Sequence, residues 1–131
     1  MKRMFESVLT PIAWTFTILV LLCLPGSSIP DLDGPVIPHF DKLVHFLLFA
    51  VFSGLWNIYQ SCKKYSTERL KKAFWLVFLS AIFYGALLEV IQYYLVPDRS
   101  FDLGDIAADT AGAAAAYAYS YIKLLRINSG N

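Results

Sequence analysis

Four long apolar stretches, separated by short polar segments, dominate this chain. They predict helices over about residues 7–24, 42–60, 73–95 and 105–125. Within each stretch the apolar residues are nearly continuous instead of recurring every three or four positions, as they would on a helix with one apolar face. Stretches of about 20 apolar residues are typical of helices that cross a bilayer. We therefore predict one domain over residues 1–131, an all-α, polytopic membrane helical bundle with four transmembrane helices.

Turn-forming and polar residues mark the ends of these helices. The run Pro25–Ser28 ends the first helix, and the proline-rich segment that continues to Phe40 is too polar to cross a membrane. Aspartate is a common N-cap, because its carboxylate accepts a free backbone N–H of the first turn. Asp41 is therefore predicted to cap the second helix, and either Asp102 or Asp105 the fourth.

The first apolar stretch has a second interpretation, as a secretory signal peptide that is removed. Lys2 and Arg3 precede it, as basic residues do in a signal peptide. No clear Ala-x-Ala cleavage site follows it, so we expect the stretch to remain as the first transmembrane helix.

The distribution of lysine and arginine predicts the orientation of the bundle. Nine of the eleven lie on one side of a four-span arrangement, and only Lys42 and Arg99 lie on the other. Loops rich in lysine and arginine stay in the cytoplasm. Both termini and a basic loop over residues 61–72 are therefore predicted to be cytoplasmic (N-in/C-in), in a multi-pass protein of the bacterial cytoplasmic (inner) membrane whose first partner is the lipid bilayer.

The composition agrees with a membrane protein and argues against some partners. Apolar residues make up 57% of the chain and charged residues 16%, against roughly 25% charged residues in soluble domains. No basic patch interleaves with aromatic residues, so nucleic acid is not expected as a partner. Cys23 and Cys62 are predicted near opposite membrane faces, which is too far apart for a disulfide.

Polar side chains recur at helical spacing near one end of three helices, on the side predicted to be outside. The candidate binding residues are Asp41, His45, Glu89, Gln92, Arg99, Asp105 and Asp109. A charged group that faces lipid costs several kcal/mol. We therefore expect these helix faces to point toward one another and to form a polar pocket open to the outside.

Several of these residues have both a chemical and a structural interpretation. Glu89 and His45 are candidates for acid–base catalysis, but Glu89 could equally pair with Arg99, and His45 could be a satisfied interfacial histidine. Asp105 and Asp109 are four residues apart and repel each other, so a proton, Arg99, His45 or a cation should compensate. A metal site from His45 and the carboxylates is conceivable, but no tight ligand motif supports it, and we expect no metal and no other cofactor.

Small residues predict where helices pack closely. Gly85, Gly112 and Ala116 are the candidates for helix packing, and alanines fill much of the fourth helix. Lipid does not favour alanine over leucine, whereas small residues allow two helix backbones to approach. The fourth helix is therefore predicted to lie in the middle of the bundle or to form a homo-oligomer contact.

Three segments of the sequence resemble the VanZ-like family of small membrane proteins. Residues 41–46 have that family's Asp-Lys-x-x-His-Phe pattern, and residues 89–92 have its Glu-x-x-Gln pattern. Arg99, Asp105 and Gly112 match its Arg…Asp…Asn…Gly segment, where this chain has an aspartate, residue 109, in place of the usual asparagine. The resemblance covers about residues 41–116.

The resemblance implies a role in the cell envelope, because the family takes its name from a member linked to resistance to the glycopeptide antibiotic teicoplanin. Three functions are compatible with it. The preferred one is a binding protein that affects the envelope or teicoplanin susceptibility by holding a lipid headgroup or a glycopeptide-related ligand in the polar pocket. The alternatives are a membrane enzyme that uses acid–base chemistry on a lipid-linked substrate, and a small proton- or ion-coupled transporter. No nucleophile constellation or inverted repeat in the sequence supports either alternative.

Overall fold

The structure, a computed structural model, describes residues 5–25 and 39–130 and is all-α over that part of the chain, with no strand. The segment from Pro25 to Phe40, which was predicted as a loop, lies almost wholly outside the described residues. Four long helices are present. Their bounds are α1 Leu9–Cys23, α2 Phe40–Ser61, α3 Thr67–Leu95 and α4 Leu103–Tyr119, and α4 continues through a π-helical turn, Ser120–Leu124, into the short helix α5, Leu125–Ser129.

The helix α3 begins at Thr67, six residues earlier than predicted. The Ser66 hydroxyl accepts a hydrogen bond from the Arg69 backbone N–H at 3.4 Å and so caps the helix. Glu68 and Lys71, three residues apart, form an ion pair of 2.8 Å on its first turns. The prediction of a basic loop over residues 61–72 is therefore wrong in its second half, because the charged residues there belong to a solvated helical turn.

The structure corrects the predicted cap of α2 and selects Asp102 from the two predicted caps of α4. The residue before α2 is His39, in the left-handed conformation with φ 60°, and Asp41 lies inside the first turn. At α4 the cap is Asp102, whose carboxylate accepts the Gly104 backbone N–H at 2.6 Å. Asp105 thus lies in the first turn of α4, where it is free to make contacts with other helices.

Two of the described helices are long and apolar enough to cross a membrane. They are α2, with 22 residues and a mean hydropathy of 1.4, and α3, with 29 residues and a mean hydropathy of 2.1. Large apolar side chains such as Phe83, 71% exposed, point away from the bundle. An apolar surface of this kind is stable against lipid and costly in water.

Neighbouring helices alternate in direction. The Tyr84 hydroxyl donates to the Thr15 carbonyl, and the Gln92 amide donates to the Leu22 carbonyl, so α1 and α3 run the same way. The helices α2 and α4 run the opposite way and share the most extensive interface. We call the end of the bundle that contains Asp41, Asp102 and Asp105 the acidic end, and the end that contains Lys63, Lys64, Arg69, Lys71 and Lys72 the basic end.

The helix α1 is an integral part of the bundle. Ile18 and Leu22 are buried in the same apolar core as Phe49 of α2 and Leu88 of α3. The Trp14 indole N–H donates to the Leu48 carbonyl at 3.1 Å and fixes α1 against α2. The two cysteines, Cys23 and Cys62, are free thiols.

The contact between α2 and α4 is a contact of backbones. A Cβ atom added at Gly112 would overlap the Phe46 carbonyl oxygen and lie 3.0 Å from the Ala50 nitrogen. The neighbouring Ala113 is fully buried. Since neither backbone can move aside without moving a whole helix, position 112 accepts only glycine at this helix separation.

Gly112→Ala should destabilise the bundle by about 1–3 kcal/mol, the usual cost of overpacking a well-filled interior. Gly54→Ala is the matched control on α2, because a Cβ at Gly54 would meet no atom within 4 Å. The control should be neutral or stabilising, by up to about 1 kcal/mol, since alanine is the better helix former. Thermal unfolding of the purified variants in detergent measures both, and equal midpoints for Gly112→Ala and the unsubstituted protein would contradict the packing argument.

Candidate functional site

A histidine and a carboxylate meet inside the bundle near the acidic end. His45 Nδ1 of α2 lies 2.9 Å from Asp109 Oδ1 of α4, within hydrogen-bond distance. The two side chains are only 2% and 1% exposed. This pairing compensates part of the cost of burying Asp109. His45 is one of the compensating groups that the sequence predicted.

The second oxygen of Asp109 packs against α3. A Cβ atom added at Gly85 would lie 2.7 Å from Asp109 Oδ2, so the absence of a side chain at Gly85 makes room for the carboxylate. Asp109 Oδ2 is buried and has no hydrogen-bond partner in the described part of the chain. Gly85 therefore contributes space to the site as well as helix packing.

Glu89 of α3 is buried beside this pair and is held by the turn before α4. Its Oε2 accepts the Asp102 backbone N–H at 3.0 Å, while its Oε1 is buried without a partner among the described residues. Arg99, which the sequence offered as the partner of Glu89, forms no ion pair within residues 5–25 and 39–130. Its described contact is a backbone hydrogen bond of 3.4 Å from its N–H to the Val96 carbonyl.

Lys42, and not Arg99, is the basic residue that compensates the negative charge of Asp105. Its ammonium lies 2.6 Å from Asp102 Oδ2, 3.1 Å from Asp105 Oδ1 and 3.7 Å from Asp41 Oδ2. The hydrogen bond from Lys42, with that from the Gly104 N–H, lowers the pKa of the Asp102 carboxyl. Sequence reasoning missed this role, although Lys42 is one of only two basic residues on that side of the predicted topology.

Asp105 connects the Lys42 ion pairs to the buried histidine. Its Oδ1 faces Lys42, and its Oδ2 lies 3.6 Å from His45 Nε2. That separation is too long for a hydrogen bond. His45 Nε2 is accordingly buried without a partner among the residues described.

We call His45, Glu89, Asp105 and Asp109 the polar cluster. Its side chains are 1–3% exposed, so the described residues enclose it, in contrast to the open pocket that was expected. Together with Asp41 and Asp102, the polar cluster places five carboxylates around two basic groups, Lys42 and His45. The excess of acidic groups and the unpartnered oxygens suit a cationic ligand better than a phosphate.

Gln92 and Ala116 lie outside the polar cluster. The Gln92 amide is 2% exposed and donates to the Leu22 carbonyl at 2.7 Å, so helix packing accounts for its burial. The Ala116 carbonyl accepts the Ser120 hydroxyl at 2.8 Å. Asn57 in turn donates to that hydroxyl at 2.9 Å, a buried contact between α2 and the π-helical turn that the sequence did not predict.

A separate cavity of about 560 Å³ lies near the basic end, between α1, α2 and α3. Its walls are mainly apolar, and Arg69 and Lys72 stand at one end of it. Because it does not reach the polar cluster, it offers no route to the buried carboxylates.

Comparison with known proteins identifies a family for this chain. The family model described as VanZ/LLP1 matches residues 3–125, nearly the whole chain. Neither a comparison with curated proteins nor one with solved structures gave a match.

Lys42→Met should lower the melting temperature and weaken its dependence on salt, because Asp102 and Asp105 lose the cation between them. The matched control is Lys64→Met, which removes an exposed lysine at the basic end. Thermal unfolding in detergent at low and high salt measures the difference. An equal, small effect of both substitutions would show that the ion pairs around Lys42 do not stabilise the acidic end.

Proposed function

Because the chain belongs to the VanZ/LLP1 family, we propose that it is a four-span protein of the bacterial cytoplasmic membrane whose polar cluster binds a cationic group of an envelope ligand. The ligand is a lipid headgroup or a glycopeptide-related molecule, and its binding changes the envelope or the susceptibility of the cell to teicoplanin. The observation that carries the proposal is a set of buried atoms in an acidic surrounding that have no hydrogen-bond partner among the described residues: His45 Nε2, Glu89 Oε1 and Asp109 Oδ2.

Unpartnered buried polar atoms favour a binding function over a purely structural one. Each such atom costs about 1–3 kcal/mol, and folded proteins satisfy nearly all of them. Here three such atoms occur together among the described residues, on three different helices. The other polar atom of His45, Nδ1, and that of Glu89, Oε2, each have a hydrogen-bond partner. A ligand that supplies positive charge or hydrogen-bond donors would lower this cost.

The distribution of charge along the bundle supports four spans with both termini in the cytoplasm. The lysines and arginines of residues 63–72 lie at one end of α3, and the acidic end lies at the other, which agrees with the positive-inside rule. The continuous helical segment of residues 103–129 is about 40 Å long at 1.5 Å per residue, enough to cross a core of about 30 Å. The burial of Ile18 and Leu22 supports α1 as a retained span.

A second candidate function is an acid–base enzyme that acts on a lipid-linked substrate. The observation that favours it is the His45–Asp109 pair, in which a carboxylate orients a histidine and leaves Nε2 free. This is the arrangement of a general base with its orienting group. No hydroxyl or thiol of the described residues bonds to that nitrogen, so the group that it activates would be water or a group of the substrate.

The proposed topology predicts labelling from opposite sides. In a Cys23→Ser variant the remaining thiol, Cys62, is exposed at the basic end and should resist a membrane-impermeant maleimide until cells are broken. A Ser100→Cys variant that lacks both natural cysteines should react in intact spheroplasts, since residue 100 is exposed in the turn at the acidic end. Reaction of Cys62 in intact spheroplasts would reverse the proposed orientation.

The proposed binding function predicts that Glu89→Gln abolishes any change in teicoplanin susceptibility that the protein confers on a susceptible host. The amide keeps an oxygen for the Asp102 N–H but removes the negative charge. Asp98→Asn is the control, because it removes a charge from the exposed turn before α4. The inhibitory concentration of teicoplanin measures the effect, with protein levels matched by immunoblot.

The outcomes separate the interpretations. If Glu89→Gln is present at the normal level and the inhibitory concentration equals that measured with the unsubstituted protein, the role of the polar cluster is refuted. A reduced level of Glu89→Gln alone would indicate that Glu89 serves to fold the bundle. If His45→Gln removes the effect while a labelled ligand still binds, the enzymatic function is favoured.

A further inference from the structure

We propose that His45, Glu89 and Asp105 form a binding site for a divalent transition-metal ion, of which Zn²⁺ is the representative. The cation that the polar cluster binds would then be a metal ion held by the protein itself. The proposal rests on the proposed function only in treating the polar cluster as a binding site, and it is tested by a separate measurement.

The three side chains have the spacing of metal ligands. One atom from each lies within 4.8 Å of the other two. Around a tetrahedral Zn²⁺ with bonds of about 2.0–2.2 Å, ligand atoms are about 3.4 Å apart. His45 Nε2 and Asp105 Oδ2 are already 3.6 Å apart, a distance that suits two ligands of one ion and is too long for a hydrogen bond between them.

The burial of unpartnered atoms points independently to a ligand. His45 Nε2 and Glu89 Oε1 are both buried and have no hydrogen-bond partner in the described chain. The residues that carry them are 2% and 1% exposed. A metal ion accepts the lone pairs of both atoms and compensates the negative charge of Glu89, which a water molecule does less well.

Each proposed ligand is fixed through its other polar atom. His45 Nδ1 bonds to Asp109 Oδ1, Glu89 Oε2 accepts the Asp102 N–H, and Asp105 Oδ1 faces Lys42. In metal sites a carboxylate commonly accepts the second N–H of a ligating histidine, which fixes the tautomer and leaves the other nitrogen free to bind the metal. Asp109 has the geometry for that supporting role.

A second acidic group at the same end is a weaker candidate. Asp41, Asp102 and Asp105 also have carboxylate oxygens close together. The Lys42 ammonium already lies within 4 Å of all three, so a cation is present and a metal ion would have to displace it. The two groups share Asp105, which therefore separates the lysine from the proposed metal position.

The donor set determines the class of metal. One imidazole and two carboxylates suit Zn²⁺, Mn²⁺ or Fe²⁺, whereas Ca²⁺ requires six to eight oxygen ligands. Since α2, α3 and α4 supply one ligand each, a bound ion would hold three helices together. Three protein ligands leave a coordination position for a group from outside, such as that of an envelope ligand.

Calorimetric titration of the purified full chain with Zn²⁺, in detergent micelles after removal of metals by a chelator, tests the proposal. We expect one Zn²⁺ per chain for the unsubstituted protein and for the control Asp98→Asn, which removes a carboxylate from the exposed turn before α4. Glu89→Gln and Asp105→Asn should lose this binding. Asp109→Asn should weaken it by about 10–100-fold, the usual effect of changing a group that supports a ligand. Zn²⁺ should also raise the melting temperature of the unsubstituted protein and not that of Glu89→Gln.

The absence of a saturable site in the unsubstituted protein would overturn the proposal, and so would equal binding by Glu89→Gln, which would place Zn²⁺ on surface carboxylates. If Glu89→Gln does not fold, the unsubstituted protein loaded with Co²⁺ decides. Its visible spectrum should show the strong absorption of four- or five-coordinate Co²⁺, and the weak spectrum of hydrated, octahedral Co²⁺ refutes the site. If the unsubstituted protein binds Zn²⁺ but Glu89→Gln leaves teicoplanin susceptibility unchanged, only the proposed function is refuted. If Glu89→Gln changes teicoplanin susceptibility but the unsubstituted protein does not bind Zn²⁺, only the metal site is refuted.

Discussion

The buried hydrogen bond between His45 and Asp109 sets the condition that the rest of the bundle meets. A carboxylate so far from water is stable only if polar groups or cations surround it. Asp109 fits beside α3 because Gly85 has no side chain, and α2 and α4 are close enough for the bond because Gly112 allows their backbones to touch. Helix packing and the chemistry of the polar cluster are therefore consequences of the same two glycines.

The sequence predicted the four helices and the end of the bundle at which the polar groups meet, for a physical reason. Ionisable residues such as Glu89 and Asp109, set in apolar helices, are too costly to face lipid, so only inward-facing arrangements remain. Local polarity was a poorer guide to the start of α3. Residues 67–72 look like a loop by composition, but the Ser66 cap and the Glu68–Lys71 pair make them helical.

The partner of each charge could not be predicted from the sequence. Lys42 contacts Asp102 and Asp105, which are 60 and 63 residues away, and those contacts depend on how α2 and α4 are aligned. Arg99 is nearer in sequence to Glu89 and to Asp102 and Asp105, yet it forms no ion pair with them among the described residues. The hydrogen bond from the Trp14 indole to the Leu48 carbonyl of α2 likewise joins residues that are 34 positions apart.

The backbone contact at Gly112 also restricts how a small ion or group can reach the polar cluster. The seam between α2 and α4 cannot widen without separating two whole helices. The turn of residues 96–102 is largely exposed and is joined to α3 by few bonds, one of them from the Asp102 N–H to Glu89 Oε2. Because the Asp102 N–H donates to Glu89 Oε2, any displacement of this turn also removes the hydrogen-bond donor of that oxygen. Movement of the turn and the release of an acceptor in the polar cluster are thus mechanically linked.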